Sequence, residues 1–297
     1  MVSVAESTDK KAACEMNDAS TTTNTAPRAI AIERVERDAW LDLFAAVPAA
    51  YAISDSVRSR KSDAYALLGH KGIPISEFNR AIGISIDRLI AASDLDQVIE
   101  WLDANANSAW AIQLAPNERL AEIEAWLARH RLKPSGNGWA KFERMPFAAA
   151  SPPARRTSLS VHEVDTSTAD DFGFVVASGF GLPASVAPWF SALAGRPKWQ
   201  CYLAYDGPHP VACGALYLDS GWAWMGIDAT LPAYRGRGAQ TALIDRRITD
   251  GVAAGVKGFT AETGQPSPGE VHSSHSYQNY QRANFRKSYV RPNYRRT

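Results

Sequence analysis

The chain has 297 residues, 45% apolar and 21% charged, with a formal net charge of +1. This is ordinary globular composition, long enough for two domains or one large one. It excludes a chain-wide field that would gather nucleic acid, and no apolar run approaches the ~20 residues of a membrane span. The cysteines Cys14, Cys201 and Cys213 are an odd number without metal-ligand spacing, which fits a reducing compartment. No metal site is expected, and without the apolar core of a signal peptide the chain is read as cytoplasmic.

Residues 1–28 are rich in Ser, Thr, Ala, Asn and Asp and poor in large apolar residues. They cannot bury enough surface to offset ordering entropy, so a disordered tail is expected. From Ala29 the pattern is helical, with Val35, Trp40, Leu41, Leu43 and Phe44 as its apolar stripe and Pro48 ending it. Residues 51–72 are mixed. A short strand over 81–84, a helix over 94–105, a strand over 109–114, a helix starting at Pro116-Asn117-Glu118 and a strand over 139–144 follow. This alternation makes 29–147 a smaller α/β domain. Ser-Pro-Pro-Ala-Arg-Arg marks a linker over 148–157. The remainder, 158–297, reads as strand 158–164, helices 169–180 and 183–193, a strand pair 199–205 and 211–218 around Asp206-Gly207-Pro208, and strand 222–230. Helix 238–254, with Ala239, Ala242, Leu243 and Val252 inward and Arg246, Arg247 and Asp250 towards water, and strand 258–262 complete the pattern. The four tryptophans Trp189, Trp199, Trp222 and Trp224 read as core, with an aromatic acceptor wall as the alternative.

Between the last of these strands and the helix after it lie Arg235, Gly236, Arg237 and Gly238 in succession. A Gly-rich turn opening a helix presents unpaired N–H groups and the positive end of the helix dipole, which is an anion site. The glycines let a phosphate approach the backbone, and the arginines can grip it with paired hydrogen bonds. The turn is not a P-loop, since no Gly-Lys-Ser/Thr follows, nor a dinucleotide fingerprint, since the three-glycine spacing is absent. Pro232, Tyr234, Arg235, Gly236 and Gly238 match the Pro-x-Tyr-Arg-Gly-x-Gly form of the coenzyme A loop, and in this the chain resembles the GNAT superfamily of N-acyltransferases. Ser276-Tyr277-Gln278-Asn279-Tyr280-Gln281-Arg282-Ala283-Asn284-Phe285 is similar to a second GNAT signature, Ser-x-x-Asn-Tyr-x-Arg-x-Gly-Phe. It departs at Asn284, which replaces Gly but tolerates the left-handed helix cap, and at Ser273, where an Asn is usual.

The resemblance implies a GNAT-like α/β (α+β) fold, with a mixed, mostly antiparallel sheet flanked by helices over 158–297. The smaller domain over 29–147 is expected to be a degenerate GNAT-like unit without a phosphate turn, or an unrelated cap. It further implies that acetyl-CoA is held by Ala229, Thr230, Leu231, Arg235, Gly236, Arg237, Gly238, Ala239, Gln240 and Ser276. The N–H groups of 229–231 would meet the thioester oxygen where the strands of 222–230 and 258–262 splay apart. Tyr280 stands at the general-acid position, its phenol of reference pKa about 10 protonating the departing thiolate. Glu262 is the first choice of base, with His272, His275 and Asp228 as alternatives.

The expected activity is transfer of an acetyl group to a primary amine of a small molecule by a monomer or homodimer. Use of another acyl-CoA, a decarboxylase or hydrolase reaction, and a non-catalytic CoA-binding module stay open beside it. The tail over 286–297 interleaves Arg and Lys with Tyr, a pattern that suits nucleic acid. With the whole chain near neutral, it is read instead as final strands with a solvated basic face.

Overall fold

A computed structural model describes residues 25–117, 119–148 and 157–296. Most of the expected tail (1–28) and linker (148–157), together with Cys14 and Glu118, lies outside them.

The first half runs α1 (Thr25–Ala45), α2 (Ala49–Ser54), β1 (Val57–Lys61), β2 (Ala66–His70), β3 (Arg80–Ile82), α3 (Ala92–Asn105), β4 (Ala111–Gln113), α4 (Leu120–Arg129) and β5 (Leu132–Arg144). The second runs β6 (Ser160–Glu163), α5 (Ala169–Phe180), α6 (Ala187–Ser191), β7 (Trp199–Asp206), β8 (His209–Asp219), β9 (Trp222–Thr230), α7 (Ala239–Ala253), β10 (Gly258–Gly264), α8 (His275–Arg282) and β11 (Arg286–Arg296). Helix α1 buries Val35, Ala39, Trp40, Leu43 and Phe44, a stripe of helical period. Only Val57 of β1 is buried and the rest of the strand is exposed Arg, Ser and Lys. An edge strand of this kind carries no apolar alternation, which is why 51–72 showed none; its charges also discourage edge-to-edge pairing.

Among the described residues the strands form one mixed, mostly antiparallel sheet of 11, in the order β1-β2-β3-β4-β11-β5-β10-β9-β8-β7-β6. The halves repeat a pattern. Strands β1, β2 and β3 are antiparallel neighbours and β3 pairs β4 in parallel. Strands β6 to β9 are likewise antiparallel, and β9 pairs β10 in parallel. The last strand of each half crosses over. Strand β5 lies between β10 and β11, while β11 pairs both β5 and β4. The two stretches expected as separate domains thus share one sheet.

Period-2 alternation divides the sheet into two faces. On β7, Cys201 and Leu203 join the cluster containing α1, α5 and α6 residues, whereas Tyr202 and Ala204 join the one containing α7 and α8 residues. Trp189, Trp199 and Trp224 are buried in the first cluster and Trp222 packs partly buried against it. Among the described residues no helix is long and apolar enough to cross a membrane, and no group of three or more His, Cys, Asp or Glu could hold a metal ion. Strand β11 takes up the basic, aromatic C-terminal stretch: Arg291 is fully buried and Tyr294 nearly so.

Candidate active site

Strand β9 reaches the Gly/Arg turn at Leu231. Gly236 and Gly238 have φ of +76° and +86°, and Gly238 is the N-cap of α7. Both angles lie in the left-handed region where a Cβ is strained. A Cβ at Gly236 would meet nothing within 4 Å, so the outside of the turn is open. Arg235 is exposed and reaches the carbonyls of Thr230 and Gly179, each at 3.3 Å. Arg237 donates two hydrogen bonds to Asp206, at 2.8 and 3.0 Å, and its guanidinium lies over the Tyr234 ring. Ala239 is buried in the first turn of α7. Gln240 Nε2 donates to Ser276 Oγ and Asn279 donates to Gln240 Oε1, both at 2.9 Å, so the starts of α7 and α8 are tied together. Ala229 is buried and Thr230 half-buried at the end of β9. One expected contact is not available: the Leu231 N–H donates to the Val211 carbonyl at 2.9 Å, so it cannot serve a thioester oxygen.

The parallel ladder between β9 and β10 runs only from Trp222–Gly258 to Met225–Ala261. Beyond it β9 stays with β8 and β10 stays with β5. Within this gap β9 carries a bulge. Cys213 pairs Ala229 and Ala215 pairs Gly226, so Gly214 alone faces both Ile227 and Asp228. Ile227 has φ +58°, unusual for a β-branched residue. Tyr280, 1% exposed, donates from its hydroxyl to Asp228 Oδ2 at 2.8 Å. Its ring packs on Phe142 and Phe285. Burial, then the charge of Asp228, raise the phenol pKa well above its ordinary value against the opposing effect of Arg247. Asn284 caps the helix with φ +58°, and Phe285 N–H returns to the Tyr280 carbonyl at 3.0 Å.

Glu262 is not placed as a general base. Its carboxylate is 2.6 Å from Arg291 Nη2, 3.4 Å from Lys141 Nζ and 3.6 Å from Arg80 Nη1. Burial alone would raise its pKa, but Lys141, Arg291 and Arg80 outweigh burial and lower it to about 2. A carboxylate held ionised so firmly is a poor proton acceptor. Glu33 and Glu36 of α1 complete the cluster, which thus sets three buried acids against three buried bases. Of the alternatives, His272 and His275 are exposed, and Asp228 is occupied by Tyr280 and Arg247.

Neither a family model nor a curated protein matches the sequence. Solved structures do match its fold. A GCN5-related N-acetyltransferase from Kribbella flavida superposes with TM-score 0.56 at 12% identity, over 82% of this chain and 92% of its own. One from Sphaerobacter thermophilus gives TM-score 0.55 at 14% identity, over 91% and 92%. The chain has the GNAT fold. A tandem GNAT protein from the clavulanic acid biosynthesis pathway is also similar, with TM-score 0.51 at 14% identity over 73% of this chain and 74% of its own.

Within this GNAT fold the first half repeats the parallel pair as β3 and β4 but lacks the glycine turn. Between β3 and α3 there is a single glycine, Gly83. Asp94 Oδ2 accepts from the Ala91 N–H at 3.3 Å and from Arg88 at 3.1 Å, so a carboxylate of the helix itself covers its N-terminus. The half from residue 157 on holds a residue that sequence reading misplaced. Arg247, expected in water, is fully buried beneath the bulge. The signal was present: Ala239, Leu243, Arg247 and Gly251 recur every fourth residue and all are buried, so Arg247 continues the inward stripe.

Proposed function

We propose that the chain is an acyltransferase that moves an acetyl group from acetyl-CoA to a primary amine of a small molecule. The observation that carries this reading is the pair of left-handed glycines at the start of α7, next to the point where β9 and β10 part. Gly236, Gly238 and the first N–H groups of α7, with Arg235 and Arg237, would hold the diphosphate. Gln240 and Ser276 would border the pantetheine arm. Acetyl-CoA supplies a thioester whose C–S bond breaks as the amine nitrogen bonds the carbonyl carbon, leaving an amide and CoA.

The residues at the gap have the remaining work. Thr230 is the proposed backbone donor to the carbonyl oxygen, since the Ala229 N–H is engaged by Cys213 of β8, and an aligned donor of this kind contributes several kcal/mol. Tyr280 is the proposed proton donor to sulfur, its O–H turning from Asp228 to do so. The amine gives its proton to solvent, since Glu262 is held in its ion cluster. The first half is proposed as a second, degenerate GNAT-like unit that shelters the site and holds no nucleotide. A monomer or homodimer in the cytoplasm, with no nucleic-acid or membrane partner, fits this reading.

A thiol-release assay with acetyl-CoA and a panel of small amines tests the reaction. Amine-dependent release, reduced at least about 10-fold in Tyr280→Phe, is the supporting result. The engaged Tyr280 hydroxyl and the ion-paired Glu262 favour one second reading, a CoA-binding module without turnover. Tight acetyl-CoA binding with no thiol release from any amine or acyl chain length would select it.

A further inference from the structure

The β9 bulge is held by one side chain. Arg247 Nη1 donates to the carbonyls of Ala215 at 3.0 Å and Gly226 at 3.3 Å, one on each strand flanking the bulge. Its two terminal nitrogens bond both oxygens of Asp228, and Nε returns to Leu243 of its own helix at 3.1 Å. The neighbouring sequence accommodates the guanidinium. A Cβ on Gly214 would lie 2.9 Å from Arg247 Cζ, and one on Gly226 would lie 2.1 Å from the Trp224 ring. Neither position accepts a side chain without moving Arg247 or Trp224. Asp228, fixed by Arg247, in turn accepts the Tyr280 hydroxyl at 2.8 Å.

We infer that Arg247 is a positioning residue for acyl transfer: it fixes the Gly226–Asp228 bulge and, through Asp228, holds the Tyr280 hydroxyl in place beside the gap between β9 and β10. The inference rests on the acyltransferase reading. A planar guanidinium suits the task because its fixed fork reaches two carbonyls and a carboxylate at once, which an ammonium cannot reproduce. It also pairs with the Asp228 carboxylate that accepts the phenol O–H. The other titratable groups near the pair are Cys213, whose thiol contacts the Ile227 carbonyl, and Tyr202, whose hydroxyl donates to Asp250.

The test uses the full chain with Arg247→Met, Arg247→Lys and the charge-neutral double variant Arg247→Met/Asp228→Asn. Acetyl-CoA affinity is read by calorimetry, kcat and KM by thiol release, and Tyr280 by the NMR shift of a 13Cζ-tyrosine label assigned with Tyr280→Phe. In Arg247→Met, kcat is expected to fall about 100-fold, as a misplacement near 1 Å can do, with affinity within about 3-fold of the parent. The Tyr280 resonance is expected to move, because the Asp228 carboxylate that accepts its O–H loses the guanidinium that holds it. Arg247→Lys should recover only part of the rate. The double variant should restore folding where Arg247→Met does not fold, while kcat stays low. A folded Arg247→Met or double variant with parental kcat and an unmoved Tyr280 resonance would overturn the inference. A parent chain that binds no acetyl-CoA would overturn the acyltransferase reading instead. The NMR shift, read without ligand, would still report whether Arg247 orients Tyr280.

Discussion

Glu262 shows how far a residue type alone can mislead. A carboxylate at the end of a strand beside a cleft has the chemistry of a base, and that much is local. What decides its role is the arrival of Arg80 from β3, Lys141 from β5 and Arg291 from β11, positions remote in sequence. A buried ion cluster tolerates loss of one member poorly, because the remaining charges are left uncompensated. Glu262→Gln is therefore expected to lower stability by about 3–5 kcal/mol, read by denaturant unfolding, and to impair turnover only as far as it impairs folding. The pH dependence has a definite sign. The carboxyl pKa falls from 4.5 to about 2 on folding. Its stabilisation is complete above 4.5 and is lost as pH drops through that window, amounting to roughly 3 kcal/mol. The stability gap between parent and variant should shrink on acidification over the same range. A folded Glu262→Gln with abolished turnover and parental stability would return the base role to this residue.

At the scale of elements, the turn before α7 was legible because its requirements are local. Glycines at positive φ, a helix N-terminus and flanking arginines lie within a few residues of one another. The helix 169–180 and strand 222–230 were equally readable, from apolar patterning and turn residues. The partner of Arg237 was not, since Asp206 comes from the β7–β8 hairpin. On the proposed reading, this exposed pair would compete with a diphosphate for Arg237. Asp206→Ala is expected to tighten acetyl-CoA binding a few-fold at low salt, with the gain fading as salt rises. Weaker binding in that variant would mean that Asp206 helps order the turn rather than competing for its arginine. Helix α7 carries the complementary lesson: two adjacent arginines read alike, yet Arg246 lies part-exposed beside Asp250 and Arg247 lies fully buried beneath the bulge.

Across the whole molecule, the exchange of β5 and β11 was beyond local reading. Pattern reasoning found most strands but assumed that each half pairs within itself. Because β5 lies between β10 and β11, removal of the first half would strip β10 of one neighbour and expose the charges at Glu262 and Arg291. A fragment beginning at residue 157 is expected to be insoluble or unfolded when expressed alone. Cutting the chain within 149–156 and co-expressing the pieces should give a 1:1 complex with the parent's far-ultraviolet spectrum. A folded, acetyl-CoA-binding fragment 157–297 would contradict this dependence.

The most direct test is titration calorimetry of acetyl-CoA into the full chain and into Gly238→Glu. At φ +86° the new side chain is strained, and its carboxylate would meet the proposed diphosphate position. The expected result is saturable 1:1 binding to the parent chain, weakened at least about 100-fold in a folded Gly238→Glu by lost backbone fit and added like charge. No binding to the parent, or equal binding to both, would contradict the proposal that the glycine–arginine turn holds a coenzyme A diphosphate.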